Sequence, residues 1–211
     1  MPKKYFFIRS FLYLAMASTV AHGALLSIDV NGGSSPTESG FIGQNSSGVT
    51  HSTIVGDITV SYAGQQGAFD RGDQGQPNPD LYRDFIFDNA GSITLTLSGP
   101  GISANTQYVM SFWFYDSGEG GGRNTSVAGT SGTTGPSLGP FDPGTAPTGL
   151  ADPDNVGTGT FTSDGSGNLT FIFTSSNNRT VLNAFEIDTV PEPSTLTLLG
   201  LGALGLLLRR R

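Results

Sequence analysis

Chemistry has few places to reside in this chain. Its 211 residues contain no cysteine and two histidines, which removes thiol nucleophiles and Cys-ligated metal centres. His51 stands in a polar stretch, GVTHST, without HxH or HExxH spacing. A Ser-His-Asp triad is expected to have no GxSxG-type elbow to support it. Asp84, Asp116 and Glu186 lie in or beside strand-like runs and are the candidates for a paired acid and base in glycoside hydrolysis. Structural carboxylates are commoner in such settings, so the expectation is a protein that is not an enzyme.

Binding chemistry is better represented. The run QYVMSFWFY (107–115) is apolar on both faces, with Trp113 and Tyr115 on one of them. One face lines a core; the other is either covered or an aromatic platform for the C–H face of a sugar ring. In LYRDFIF (81–87), alternation sets Leu81, Arg83, Phe85 and Phe87 on one face. Arg83 is then a buried cation that needs a carboxylate, with Asp116 or Glu186 as partner. The ligand-binding candidates are therefore Trp113, Tyr115, Arg83 and Asp116. Two acidic loops, Asp70-Arg71-Gly72-Asp73 and Asp152-Pro153-Asp154-Asn155, gather oxygen ligands. Neither fits an EF-hand, since Val156 takes a ligand position. Asp70, Asp73, Asp152 and Asp154 are the candidates for a structural Ca²⁺, and no other cofactor is expected.

The elements that must position these residues are strands. Alternating runs recur at 25–30, 57–62, 81–87, 92–98, 107–115, 158–162, 168–174 and 181–187. In SITLTLS, Ile93, Leu95 and Leu97 point one way and the threonines the other. Asp164-Gly165 between two such runs is a hairpin signal. The stretch 116–154 is rich in Gly, Ser, Thr and Pro, with one or two short strands around Ser126 and Val127 and then a long loop. The 31 glycines and 13% charged residues argue against a helical bundle. The expected fold is all-β, an antiparallel β-sandwich or jelly roll over residues 24–189.

Both ends read as addresses. Residues 1–23 have a basic start (Lys3, Lys4, Arg9), an apolar run from Phe11 to Val20, and Ala21-His22-Gly23 as a cleavage site. This is the pattern of a secretory signal helix, handled by the Sec translocon. Residues 190–211 read VPEPSTLTLLGLGALGLLLRRR. A Pro-Glu-Pro turn (Pro191, Glu192, Pro193) leads into a single apolar helix, 195–208, closed by Arg209, Arg210 and Arg211. Fourteen residues rise about 21 Å, short of a hydrocarbon core of about 30 Å. The segment is a marginal, transient membrane span.

This C-terminal segment resembles the PEP-CTERM sorting signal of Gram-negative bacteria. The resemblance implies processing by an exosortase near Pro191-Glu192-Pro193. It also implies a transient stay at the inner membrane, then passage to the cell surface or an exopolysaccharide matrix such as a biofilm. More loosely, IDVNGG, LYRDFIF, QYVMSFWFYD and LNAFEI resemble, in that order, secreted galactose-binding-like and malectin-like jelly rolls. That resemblance implies a sandwich and carbohydrate binding, with exopolysaccharide as the partner, and supplies no binding residues.

The formal charge of −7 blends unlike parts. Between the two end segments, four arginines face sixteen acidic residues and no lysine, a balance of −12. Such a domain repels phosphate backbones, so nucleic acid is not an expected partner.

Overall fold

Alternation of apolar and polar residues builds strands nearly throughout. A computed structural model describes residues 24–45, 50–89, 91–118, 124–177 and 179–190. The signal segment 1–23, the apolar helix 195–208 and the sorting residues Pro191, Glu192, Pro193, Arg209, Arg210 and Arg211 lie outside the described residues. Ala24–Val190 forms one compact unit. Its strands are β1 (Leu26–Asn31), β2 (Ile42–Asn45), β3 (Thr50–Val55), β4 (Ile58–Ala63) and β5 (Gly67–Asp70). A one-turn helix α1 (Pro79–Tyr82) precedes β6 (Asp84–Asp88), β7 (Ser92–Ser98), β8 (Gln107–Trp113) and β9 (Thr125–Thr130). The series ends with β10 (Leu138–Phe141), β11 (Val156–Thr162), β12 (Leu169–Ser175), β13 (Thr180–Leu182) and β14 (Ala184–Thr189).

Three sheets result. The first has the order β11-β8-β14-β1-β2, the second β10-β9-β12-β7-β4-β3, the third β13-β6-β5. All pairs are antiparallel except β1 with β2. The first two sheets pack face to face. Phe112 of the first lies 5.1 Å and 5.3 Å, ring centre to centre, from Phe171 and Phe173 of the second. The expected alternation of β7 holds, with Ile93, Leu95 and Leu97 fully buried. Each such side chain contributes about 1.5–3 kcal/mol by leaving water. The fold is thus the expected all-β sandwich. Among the described residues no helix is long and apolar enough to cross a membrane.

Three local expectations are corrected. Asp164-Gly165 does not close a hairpin: β11 pairs with β8 in the first sheet, and β12 with β7 and β9 in the second. The Asp164 carboxylate accepts the N–H groups of Ser166 and Asn168, so the turn carries the chain from one sheet to the other. Across that corner Phe161 meets Phe171 edge to face at 4.9 Å. Next, LYRDFIF is not one strand. Asn78 is left-handed (φ 53°) and Pro79 sets the first helical position, so Leu81 and Tyr82 belong to α1 and Arg83 to its end. Finally, VLNAFEI is broken at Asn183. This fully buried residue joins the third sheet to the first: its Nδ2 donates to the Asp84 carbonyl (2.7 Å), and its Oδ1 accepts the Tyr115 N–H (2.6 Å).

Candidate functional site

The third sheet carries the site. Period-two alternation puts Phe85 and Phe87 of β6 on one face. Register sets Phe69 opposite Phe85, and Val181 opposite Phe87. Phe69 and Phe85 are parallel at 6.3 Å, and Phe87 meets Phe69 at 6.0 Å and 64°. Phe69 is 46% exposed, unusual for a side chain that size on a folded domain. Gly67 is paired with Phe87 and leaves that ring uncovered; a Cβ there would stand 3.4 Å from it.

Arg71 follows β5 and lies over this floor. Its Cζ is 4.5 Å from the Phe69 ring centre and 5.8 Å from that of Phe85. Asp116 fixes the plane by accepting from Nε (2.9 Å) and Nη2 (3.4 Å), and it also accepts the Gly118 N–H at 2.9 Å. Residue 118 must be glycine for this seat, because a Cβ there would run into the guanidinium. Arginine has five N–H donors; Asp116 engages Nε and Nη2, so the Nη1 pair points elsewhere. Asn89, Arg179 and Thr180 complete the lining of an open recess of about 230 Å³. An aromatic floor under an oriented guanidinium–carboxylate pair suits a ring with C–H bonds on one face and hydroxyls at its edge.

Beside the recess is an ion network. Asp70 accepts from Arg83 Nε (3.0 Å) and Nη2 (2.9 Å), from the Gly72 N–H, and from Ser35 Oγ. Arg83 is the main cause that holds the Asp70 carboxyl below its usual range. Arg83 is therefore partnered by Asp70, not by Asp116 or Glu186 as expected. Its side chain is 20% exposed because it caps α1 and does not lie on a strand face. Deeper lie Asp84 and Asp29, both fully buried. Burial pushes Asp29 up to about 8, opposed by the Glu38 N–H and reinforced by the charge of Asp84. Burial pushes Asp84 up to about 7, eased by nearby Ser35.

The other sequence candidates fall elsewhere. Trp113 and Tyr115 are 6% and 5% exposed, so no open platform forms. The outer face of the first sheet is covered: Trp113 Nε1 donates to the Leu150 carbonyl (3.0 Å) and its ring meets Phe41, while Tyr115 meets Tyr82 of α1. Asp152 is occupied by its own loop, accepting the N–H and hydroxyl of Thr148 and the N–H of Asp154. Asp73 accepts the Gly75 N–H. Among the described residues no three His, Cys, Asp or Glu side chains form a metal-ligand group. The hydrolase candidates have separate attachments: Asp116 to Arg71, Glu186 to Ser27, and Asp84 in the interior. Against expectation the chain does carry GxSxG spacing, Gly135-Pro136-Ser137-Leu138-Gly139, but it runs into strand β10 and not a helix, so it forms no nucleophile elbow.

Sequence reasoning found Asp116 but missed Phe69, Arg71 and Phe87 as a unit. The available signal was Phe69 and Arg71 two residues apart, in a stretch that reads as an acidic loop. No curated protein matches the chain, so no relative supports the jelly-roll resemblance. A model of the PEP-CTERM protein-sorting motif matches residues 189–211. The chain thus carries a PEP-CTERM protein-sorting motif at its C-terminal end, and this implies an exported protein processed by an exosortase and sorted to the cell surface.

Proposed function

We propose that this is a non-enzymatic glycan-binding protein of the cell surface or exopolysaccharide matrix. Residues 1–23 direct it to the Sec translocon, the Pro191-Glu192-Pro193 segment to exosortase. The β-sandwich then holds exopolysaccharide in the recess of the third sheet. One observation carries the reading: the exposed Phe69 ring lies under a guanidinium that Asp116 has already oriented. An ordered cation and a flat apolar surface lose little freedom when a sugar ring docks, which favours affinity. The hydrolase reading lacks such support, because Asp116 is held by Arg71, Glu186 by Ser27, and Asp84 is closed off in the interior.

The test is retention of the full chain on purified exopolysaccharide. Phe69→Ala and Arg71→Ala should each weaken binding, and Trp113→Ala, if folded, should not. Loss of a charged hydrogen bond is worth about 1.5–3 kcal/mol, so Arg71→Ala should weaken binding by about 10- to 150-fold. Equal retention of wild type and both recess variants removes the recess from the account. No retention of any of them leaves a matrix protein without a specific ligand.

A further inference from the structure

We propose that Asp29 and Asp84 hold a calcium ion between β1, the loop after it and the start of β6. Both side chains are fully buried. Asp29 Oδ2 accepts the Glu38 N–H at 2.8 Å, but Oδ1 has no hydrogen-bond partner. Neither oxygen of Asp84 has one at hydrogen-bond distance; the Gly32 N–H and the Ser35 hydroxyl stand near enough to ease its charge without closing a bond. The nearest cation, Arg83, has its Nε 3.8 Å from Asp84 Oδ1, and its fork is spent on Asp70 at 3.0 and 2.9 Å. Three of the four carboxylate oxygens are therefore buried and orphaned, which native folds rarely leave unexplained.

The surroundings raise the demand for positive charge. Asp29 feels the charges of Asp84, Glu38 and Asp80, and Asp84 feels that of Asp70. Arg83 faces three acids of this group, Asp70, Asp84 and Asp80, while Asp29 and Glu38 are not among the charges acting on it. Buried charges of one sign persist where a counter-charge lies among them. Neutral oxygens are at hand. Asn31 follows Asp29 on the same face of β1, and its Oδ1 is also buried without a partner. Its Nδ2 donates to the Ser35 carbonyl and Thr37 Oγ1, which fixes the amide with that oxygen unspent.

The set is all oxygen, with two carboxylates and no histidine or sulfur, which selects a hard cation over zinc. Calcium accepts carbonyl, amide and water oxygens in flexible geometry, whereas magnesium demands a tighter octahedron. The ligands of this site differ from those of the Asp73 and Asp152 loops, whose carboxylates are taken by N–H groups of their own turns.

Terbium luminescence on the full chain tests the proposal. Trp113, the single tryptophan, lies in the same register row as Asp29, with Ala184 between them, and serves as the sensitiser. Terbium emission should rise on excitation of Trp113 and fall as Ca²⁺ displaces the probe. Ca²⁺ should also raise the thermal midpoint above that in EDTA by several degrees. Asp29→Asn and Asp84→Asn should each lose both responses, while Asp73→Asn and Asp152→Asn keep them. Native mass spectrometry of the wild type, which needs no variant to fold, should show one bound calcium. No sensitised emission with no bound calcium overturns the proposal, as does an unchanged response in folded Asp29→Asn and Asp84→Asn. A response to Mg²⁺ equal to that for Ca²⁺ overturns the choice of metal.

Discussion

Asn183→Ala is the sharpest perturbation of how the third sheet is held against the first. The Asn183 side chain makes two buried bonds to main chain, one to the Asp84 carbonyl at 2.7 Å and one from the Tyr115 N–H at 2.6 Å. Truncation leaves a carbonyl and an N–H buried without partners, at about 1–3 kcal/mol each. A total loss of about 3–5 kcal/mol follows, a large part of the roughly 5–15 kcal/mol that stabilises a typical domain. Urea unfolding is the assay. With a slope of about 1–3 kcal/mol/M the midpoint should fall by about 1–5 M. Asn183→Asp sharpens the point. It keeps the volume and the acceptor for Tyr115 but faces the Asp84 carbonyl with a second acceptor. Its loss should be similar near neutral pH and smaller in acid, where the protonated carboxyl donates. A loss below about 1 kcal/mol for Asn183→Ala would refute the claim that this residue fastens the two sheets.

Trp113→Ala should cost about 3–5 kcal/mol of stability, read by urea unfolding, with glycan retention of the folded fraction unchanged. Arg83→Ala should cost only about 1 kcal/mol, because its pair with Asp70 is partly exposed; a loss of 3 kcal/mol or more would restore the buried-cation expectation. Gly118→Ala should displace Arg71 from Asp116 and weaken glycan binding about tenfold, the worth of one good polar contact, with the thermal midpoint nearly unchanged. Gly67→Val should cover the Phe87 ring and lower binding without unfolding the sheet.

Strands with one buried face were legible from the residues alone. In β7 the pattern Ile93, Leu95, Leu97 appears in the fold as it reads in the chain, and so does Ile58, Val60, Tyr62 in β4. The switch at Asn183 was not, because Leu182-Asn183-Ala184 reads as continuous strand and the break depends on partners distant in sequence. Arg83 was misplaced because one helical turn after Pro79 shifts the start of β6. The aromatic platform expected at Trp113 was a choice between covered and open faces, and α1 with the loops around Phe41 and Leu150 covers it. The recess assembles Phe69, Phe87, Arg71 and Asp116 from three separate segments. Only tertiary register brings them together, so single-strand patterns carried no sign of it. The C-terminal signal, by contrast, is contiguous, and was legible in full.

Affinity electrophoresis of the full chain through gels containing purified exopolysaccharide tests the central claim most directly. Wild type should be retarded in proportion to polysaccharide concentration, and Phe69→Ala and Arg71→Ala should migrate as in gels without it. Equal retardation of wild type and both variants would contradict the assignment of glycan binding to the third-sheet recess.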